Sequence, residues 1–129
     1  MTAMDERSPA IRVAMMPRDT NGHGTIFGGV LLSYIDQAGA VAAHSATSKM
    51  IVTVAMDQVD FKSPVFVGDL VSYYADVTGT GTTSVTCKVE VVATRGLLSP
   101  LEERGTDVPV TEAVITYVAV DDDRRPVAL

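Results

Sequence analysis

Two periodicities divide the chain. From about Phe27 to Ser48 apolar residues recur at helical spacing: Leu31, Ile35, Ala38 and Ala42 form one stripe, widened by Val30, Tyr34 and Val41. Ala38, Gly39, Ala40, Ala42, Ala43 and Ala46 are small enough for another element to pack closely. The pattern predicts one long, mostly buried helix whose narrow polar face carries Ser33, Gln37 and His44, with Asp36 at the edge of that face. After Lys49 the period becomes two. Val85, Cys87, Val89, Val91 and Ala93 point one way, and Thr86, Lys88 and Glu90 the other. Val71, Tyr73, Ala75 and Val77 alternate with Ser72, Tyr74 and Asp76, and Ile51–Phe61 and Val110–Val120 are rich in β-branched residues. Thr78-Gly79-Thr80-Gly81 reads as a hairpin turn. Ahead of the helix, Ala10–Met16 reads as a short first strand and residues 17–25 as a loop rich in Pro, Asp, Asn and Gly. Residues 1–9 are polar and expected to fray. The Arg95–Asp107 connection carries Pro100 and exceeds the usual length, as functional or mobile loops do.

A single helix must therefore cover four long strands. The economical solution is an α+β fold in which a twisted antiparallel sheet of about five strands wraps one helix. One sheet face is then left partly bare, or is covered by another subunit.

Composition narrows the class. The 129 residues suit one domain, and 47% hydrophobic with 20% charged residues are globular values. The net charge of -6 argues against nucleic acid as the main partner, because phosphate neutralisation needs a basic face. The lone Cys87 permits no internal disulfide and no Cys-rich zinc site, which fits a reducing cytoplasm. It sits on an apolar strand face, where thiols are inert. No apolar run approaches membrane-spanning length, and the N-terminal residues do not read as a signal peptide. A G-x-S-x-G elbow, an H-E-x-x-H motif and a nucleotide P-loop are all missing from the sequence.

What remains is Asp19-Thr20-Asn21-Gly22-His23-Gly24-Thr25-Ile26-Phe27-Gly28-Gly29, followed by Asp36-Gln37-Ala38-Gly39. Gly28 and Gly29 at a helix start serve either a tight turn or the close approach of a ligand to free backbone N–H groups. Such groups, with the helix dipole, suit a developing oxyanion. Asp36 follows about two turns later on a largely apolar helix. Aspartate is a poor mid-helix residue. It is either a solvated edge residue or a carboxylate serving as general base or nucleophile.

The segment Asp19-Thr20-Asn21-x-x-Gly24-x-Ile26-Phe27-Gly28-Gly29 with Ile35-Asp36-x-Ala38-Gly39 resembles the hotdog-fold acyl-CoA thioesterases of the YciA and brain acyl-CoA hydrolase type. Further matches follow in order: Val52-Thr53-Val54, Phe61-x-x-Pro64-Val65, Val67-Gly68-Asp69, Gly81-Thr82-Thr83-Ser84-Val85 and Thr111-Glu112-Ala113 with Tyr117-Val118-Ala119-Val120-Asp121. The resemblance implies a single hotdog domain hydrolysing acyl-CoA to free acid and CoA, without metal or cofactor. It also implies a homodimer with one continuous sheet, assembled further as a trimer of dimers. It assigns Asp36 as the catalytic carboxylate, Asn21 as a second functional residue meeting it across a subunit interface, and the Gly29 N–H as the group polarising the thioester carbonyl. Gly28, Thr82, Ser84 and Arg95 are the candidate substrate contacts. The family often has Trp after Gly-Gly; Val30 stands there and reshapes the acyl channel. The basic residue that the family tends to place directly before Pro64 is one position early, as Lys62, and a one-residue slip changes the strand face. His23 and His44 read as structural or exposed. Two rival readings are a hotdog enoyl-CoA hydratase, whose Asp-x-Asn-Pro-x-His loop this chain lacks, and a non-catalytic acyl-CoA-binding protein.

Overall fold

The computed structural model describes residues 7–129. The helical stripe forms α1 (Gly28–Ala43), and the period-two segments form β2 (Met50–Asp57), β3 (Leu70–Thr80), β4 (Ser84–Thr94) and β5 (Asp107–Val120). The expected first strand is shorter than its apolar run and spans Ile11–Ala14 as β1. The five strands make one antiparallel sheet in the order β1-β3-β4-β5-β2. The two strands flanking α1 in sequence are thus the two sheet edges, and α1 lies across β3, β4 and β5 between them. β4 alternates strictly, with Val85, Cys87, Val89, Val91 and Ala93 fully enclosed under the helix. Burial pushes the Cys87 thiol up to about 11, with Asp76 adding to the shift, so the thiol stays protonated.

Four details depart from the sequence pattern. α1 ends at Ala43 rather than Ser48. Ser45 folds its hydroxyl back to donate to the Ala42 carbonyl, and Ser45 and Ala46 N–H close tighter turns onto Ala42 and Ala43; local side-chain bonds of this kind compete with helix continuation. The β3–β4 turn falls at 81–83, not 78–81. A bulge between Val77 and Gly79 absorbs one residue and carries β3 on to Thr80. Ser72 and Tyr74 point away from the helix as expected, yet both are buried. Arg12 of neighbouring β1 lies over them, its Nε donating to Ser72 Oγ at 2.8 Å and its Nη2 to Tyr74 Oη at 3.3 Å. The Arg95–Asp107 connection is tied at its base, where Arg95 N–H donates to the Thr106 carbonyl and Gly105 N–H to the Arg95 carbonyl.

One glycine fixes how closely helix and sheet approach. A side chain at Gly39 would collide with the Tyr117 hydroxyl, which instead reaches past the bare backbone and donates to the Asp36 carbonyl at 2.7 Å. Burial, then the neighbouring Asp36 charge, raises the Tyr117 hydroxyl well above its ordinary value and keeps it a donor. This bond locks α1 against β5 in the turn that carries Asp36.

Candidate active site

Asp36 is half-buried on the side of α1 facing β2. Its Oδ1 accepts a hydrogen bond from the Thr53 hydroxyl of β2 at 2.7 Å. Thr53 pairs in register with Tyr117 of β5. Asp36 is therefore held twice, its carboxylate by Thr53 and its backbone carbonyl by Tyr117. β2 bulges between Thr53 and Ala55, a device that re-aims a side chain at an edge. Thr53 escaped the sequence reading because a threonine in a β-branched run signals only strand.

Replacing Thr53 by valine keeps shape and strand preference but removes the donor. Without that donor the carboxylate loses its fixed orientation, and misplacing a reacting group costs up to about 100-fold, so kcat is expected to fall about tenfold. Steady-state kinetics on the folded variant checks this; wild-type kcat would show that Thr53 does not orient the carboxylate.

The helix start is built by a small hairpin. Thr20 bridges Ile26, and Asn21 N–H donates to the Thr25 carbonyl at 2.9 Å. Gly24 turns the loop with φ +87°, a region that favours glycine. Phe27 N–H donates to the Asp19 carbonyl and its own carbonyl receives Val30 N–H. That leaves the first-turn N–H groups of Gly28 and Gly29 without partners inside the helix. A cleft of about 320 Å³ opens beside Gly28, lined also by Leu31, Phe61, Pro64 and Val65. Gly29 lines a separate, shallower groove of about 490 Å³, with Phe27, Val30 and Tyr34.

The other candidate residues fall in different places. The Asn21 side chain organises its own loop, its Nδ2 donating to Thr25 Oγ1 at 2.8 Å and its Oδ1 accepting from His23 N–H at 2.7 Å. Within one chain no hydrogen bond links Asn21 to Asp36 among the described residues. Thr82 and Ser84 lie at the β3–β4 turn, most of the length of β4 from the helix start, so one chain does not gather all candidates around one point. Arg95 is not an outward cation. Its side chain is 9% exposed and its Nη1 donates to Asp69 Oδ2 at 2.7 Å and to the Pro64 carbonyl at 2.9 Å. The Nη1 end of the guanidinium is thus engaged inside the fold. His23 and His44 are exposed, His44 as the residue closing α1. Among the described residues no cluster of metal-ligating side chains occurs, and no helix is long and apolar enough to cross a membrane.

Comparison with known proteins gives the same picture. Residues 23–100 match the thioesterase superfamily model. The acyl-CoA thioester hydrolase YciA of Salmonella typhimurium is 40% identical over 129 residues, covering 98% of this chain and 95% of that protein. A hexameric hotdog fold thioesterase of Campylobacter jejuni superposes with a TM-score of 0.85 at 42% identity, covering 97% of this chain and 93% of its own. The hexameric broad specificity acyl-coenzyme A thioesterase HI0827 superposes with a TM-score of 0.87 at 36% identity, covering 98% and 83%. With a long helix whose Gly-Gly start faces a cleft and whose aspartate is held from the sheet edge, the chain belongs to the thioesterase superfamily, among its hotdog acyl-CoA thioester hydrolases.

Proposed function

We propose that this chain hydrolyses acyl-CoA thioesters in a site shared by two subunits, with Asp36 of one facing Gly29 and Asn21 of the other. The observation that carries this reading is the Thr53–Asp36 hydrogen bond, which aims a half-buried carboxylate toward the β2 edge. Seven residues separate Gly29 from Asp36 on one helix, about 10 Å at the α-helical rise. An oxyanion donor and a base each need to lie about 3 Å from the reacting groups. That separation supports drawing the two from different chains. β2 is an open edge with Met50 and Val54 exposed, as a strand continued by a second copy would be.

In the reaction the thioester carbonyl oxygen receives the Gly29 N–H, with Gly28 lining the approach and the helix dipole favouring the oxyanion. Asp36 takes a proton from water as it adds to the carbonyl carbon, or adds there itself to form an anhydride that water then opens. The C–S bond breaks in either route: in the first, Asp36 passes the proton it took from water to the departing thiolate; in the second, CoA leaves as the thiolate and takes up a proton released by the water that opens the anhydride. Asn21 positions the water or the carbonyl. No cofactor beyond the substrate's own CoA enters these steps. The acyl chain runs along the apolar helix and sheet, the nucleotide stays outside near Thr82 and Ser84, and dimers assemble in threes in the cytoplasm.

A panel of acyl-CoAs of different length, followed by free-thiol release, tests the reaction, with hydration of crotonyl-CoA assayed in parallel. Thiol release is the expected outcome. Hydration without thiol release would make the protein a hydratase, and tight binding with neither reaction would make it a carrier or sensor.

A further inference from the structure

Asp69 and Arg95 form a buried ion pair, with side chains 1% and 9% exposed, that the hydrolysis described above does not use. Beyond the bond between them, the two side chains bond to backbone at one place in the fold. Asp69 Oδ2 accepts from Phe66 N–H at 2.9 Å and from Arg95 Nη1, while its Oδ1 accepts from Gly96 N–H at 3.0 Å. Arg95 also holds the Pro64 carbonyl, and its guanidinium carbon stacks 4.8 Å from the centre of the Phe66 ring. A side chain at Gly96 has no room against the Gly68 carbonyl, so the two segments touch backbone to backbone. Residues 64–66 are thereby fixed at both ends by one charge pair.

That segment has a second face. The Val65 carbonyl accepts from Ile26 N–H at 2.8 Å, and Phe66 bridges Thr25. Thr25 and Ile26 are the returning arm of the hairpin that carries Asn21, and they lead through Phe27 directly into Gly28 and Gly29. The chain of contacts is short and backbone-borne: ion pair, residues 64–66, residues 25–26, helix start. Pro64 and Val65 also form the wall of the cleft opposite Gly28.

We infer that the Asp69–Arg95 pair is a positioning device for the carbonyl-binding end of the site, setting where the Gly28 and Gly29 N–H groups and the Asn21 hairpin stand. The inference rests on the thioesterase reading for its kinetic consequence and on geometry alone for its structural one. A charge pair suits this task because one nitrogen of a planar guanidinium, Nη1, donates both to Asp69 Oδ2 and to the Pro64 carbonyl while the group lies against the Phe66 ring, whereas an apolar pair of the same volume fixes no acceptor. Misplacing reacting groups by about 1 Å costs up to about 100-fold in rate.

Arg95→Lys and Arg95→Met test it, beside Val89→Ala as a core lesion outside the chain of contacts. Lysine keeps a cation for Asp69 but carries it on a flexible stem without the rigid plane that aims Nη1 at Pro64 and stacks on Phe66. In both Arg95 variants kcat is expected to fall about tenfold or more with KM within about threefold of wild type. The fall should be the same for acyl-CoA and for an acyl thioester of N-acetylcysteamine, which has no phosphates. Amide exchange at residues 20–30 should quicken in the Arg95 variants and not in Val89→Ala. Wild-type kcat in folded Arg95→Lys overturns the proposal. So does a KM rise confined to acyl-CoA, which would make Arg95 a phosphate ligand, and so does an equal loss in Val89→Ala, which would make the effect one of general stability. Should Arg95→Met not fold, Arg95→Lys carries the same decision. If the wild type releases no thiol from any substrate, the hydrolase reading fails by itself, and the exchange data still decide: quickening confined to 20–30 upholds the positioning role and unchanged exchange refutes it.

Discussion

Asp36→Asn is expected to abolish thioester hydrolysis in a protein that folds and assembles normally. The amide has the size and shape of the carboxylate, and its oxygen still accepts the 2.7 Å hydrogen bond that Thr53 donates. The Tyr117 bond goes to the Asp36 backbone carbonyl, which the substitution leaves in place. Both grips on this turn of α1 therefore survive. What disappears is the basic lone pair and the negative charge that would take a proton from water or attack the carbonyl. General-base contributions run to about 100- to 10,000-fold, so a loss of at least about 100-fold in kcat is expected. The thermal midpoint should move little, because no buried contact is removed. Glu102→Gln makes the same chemical change at an exposed carboxylate on the β4–β5 connection and should leave the rate unaltered. Turnover by Asp36→Asn close to wild type would remove Asp36 from the chemistry and reduce it to a half-solvated residue at the helix edge.

The reasons Asp36 stood out in the sequence, and Thr53 did not, are physical. An aspartate in the middle of an alanine-rich helix opposes local preference, and such conflicts gather at functional sites. A threonine in Val52-Thr53-Val54 obeys local preference, so nothing separates a positioning hydroxyl from an ordinary strand residue until the strand is laid beside the helix. The fold class was readable because one helical stripe followed by period-two strands has few compact solutions. The strict alternation of β4 made its enclosed face readable residue by residue. Element ends were less so. The end of α1 depends on where the Ser45 hydroxyl bonds, and the β3–β4 turn on a bulge between Val77 and Gly79 that moves the hairpin tip on to 81–83. Arg95 shows a different limit. A cation in a long connection reads as an outward charge, and only its meeting with Asp69, 26 residues earlier, turns it inward. Asn21 was picked out by resemblance, and its local bonds in one chain hold a loop. Its part in the reaction is a matter for two chains.

Mixing two inactive variants provides the decisive measurement for that shared site. Asn21→Ala alone and Asp36→Ala alone are each expected to be nearly inactive, since every site of a homodimer of either variant carries one lesion. In a two-fold dimer the two sites are equivalent, each taking Asn21 from one chain and Asp36 from the other. Unfolded and refolded together in equal amounts, about half of the dimers are mixed by random pairing. In a mixed dimer one site inherits both lesions and the other inherits neither. Activity should then recover to about one quarter of wild type, because half the dimers carry one intact site of two. Further assembly of dimers into threes does not change this fraction, as the pairing within each dimer sets it. Two differently tagged wild-type chains refolded in the same way must first show mixing. Loss of the Asn21 side chain also removes its bonds to Thr25 and to His23 N–H, so circular dichroism and size must match wild type for both variants. If tagged chains mix and the two variants together stay as inactive as either alone, Asn21 and Asp36 act within one chain or Asn21 acts only on its own loop. The composite site would then be wrong, and Asp36 with its threonine would have to find an oxyanion donor nearer than the start of its own helix.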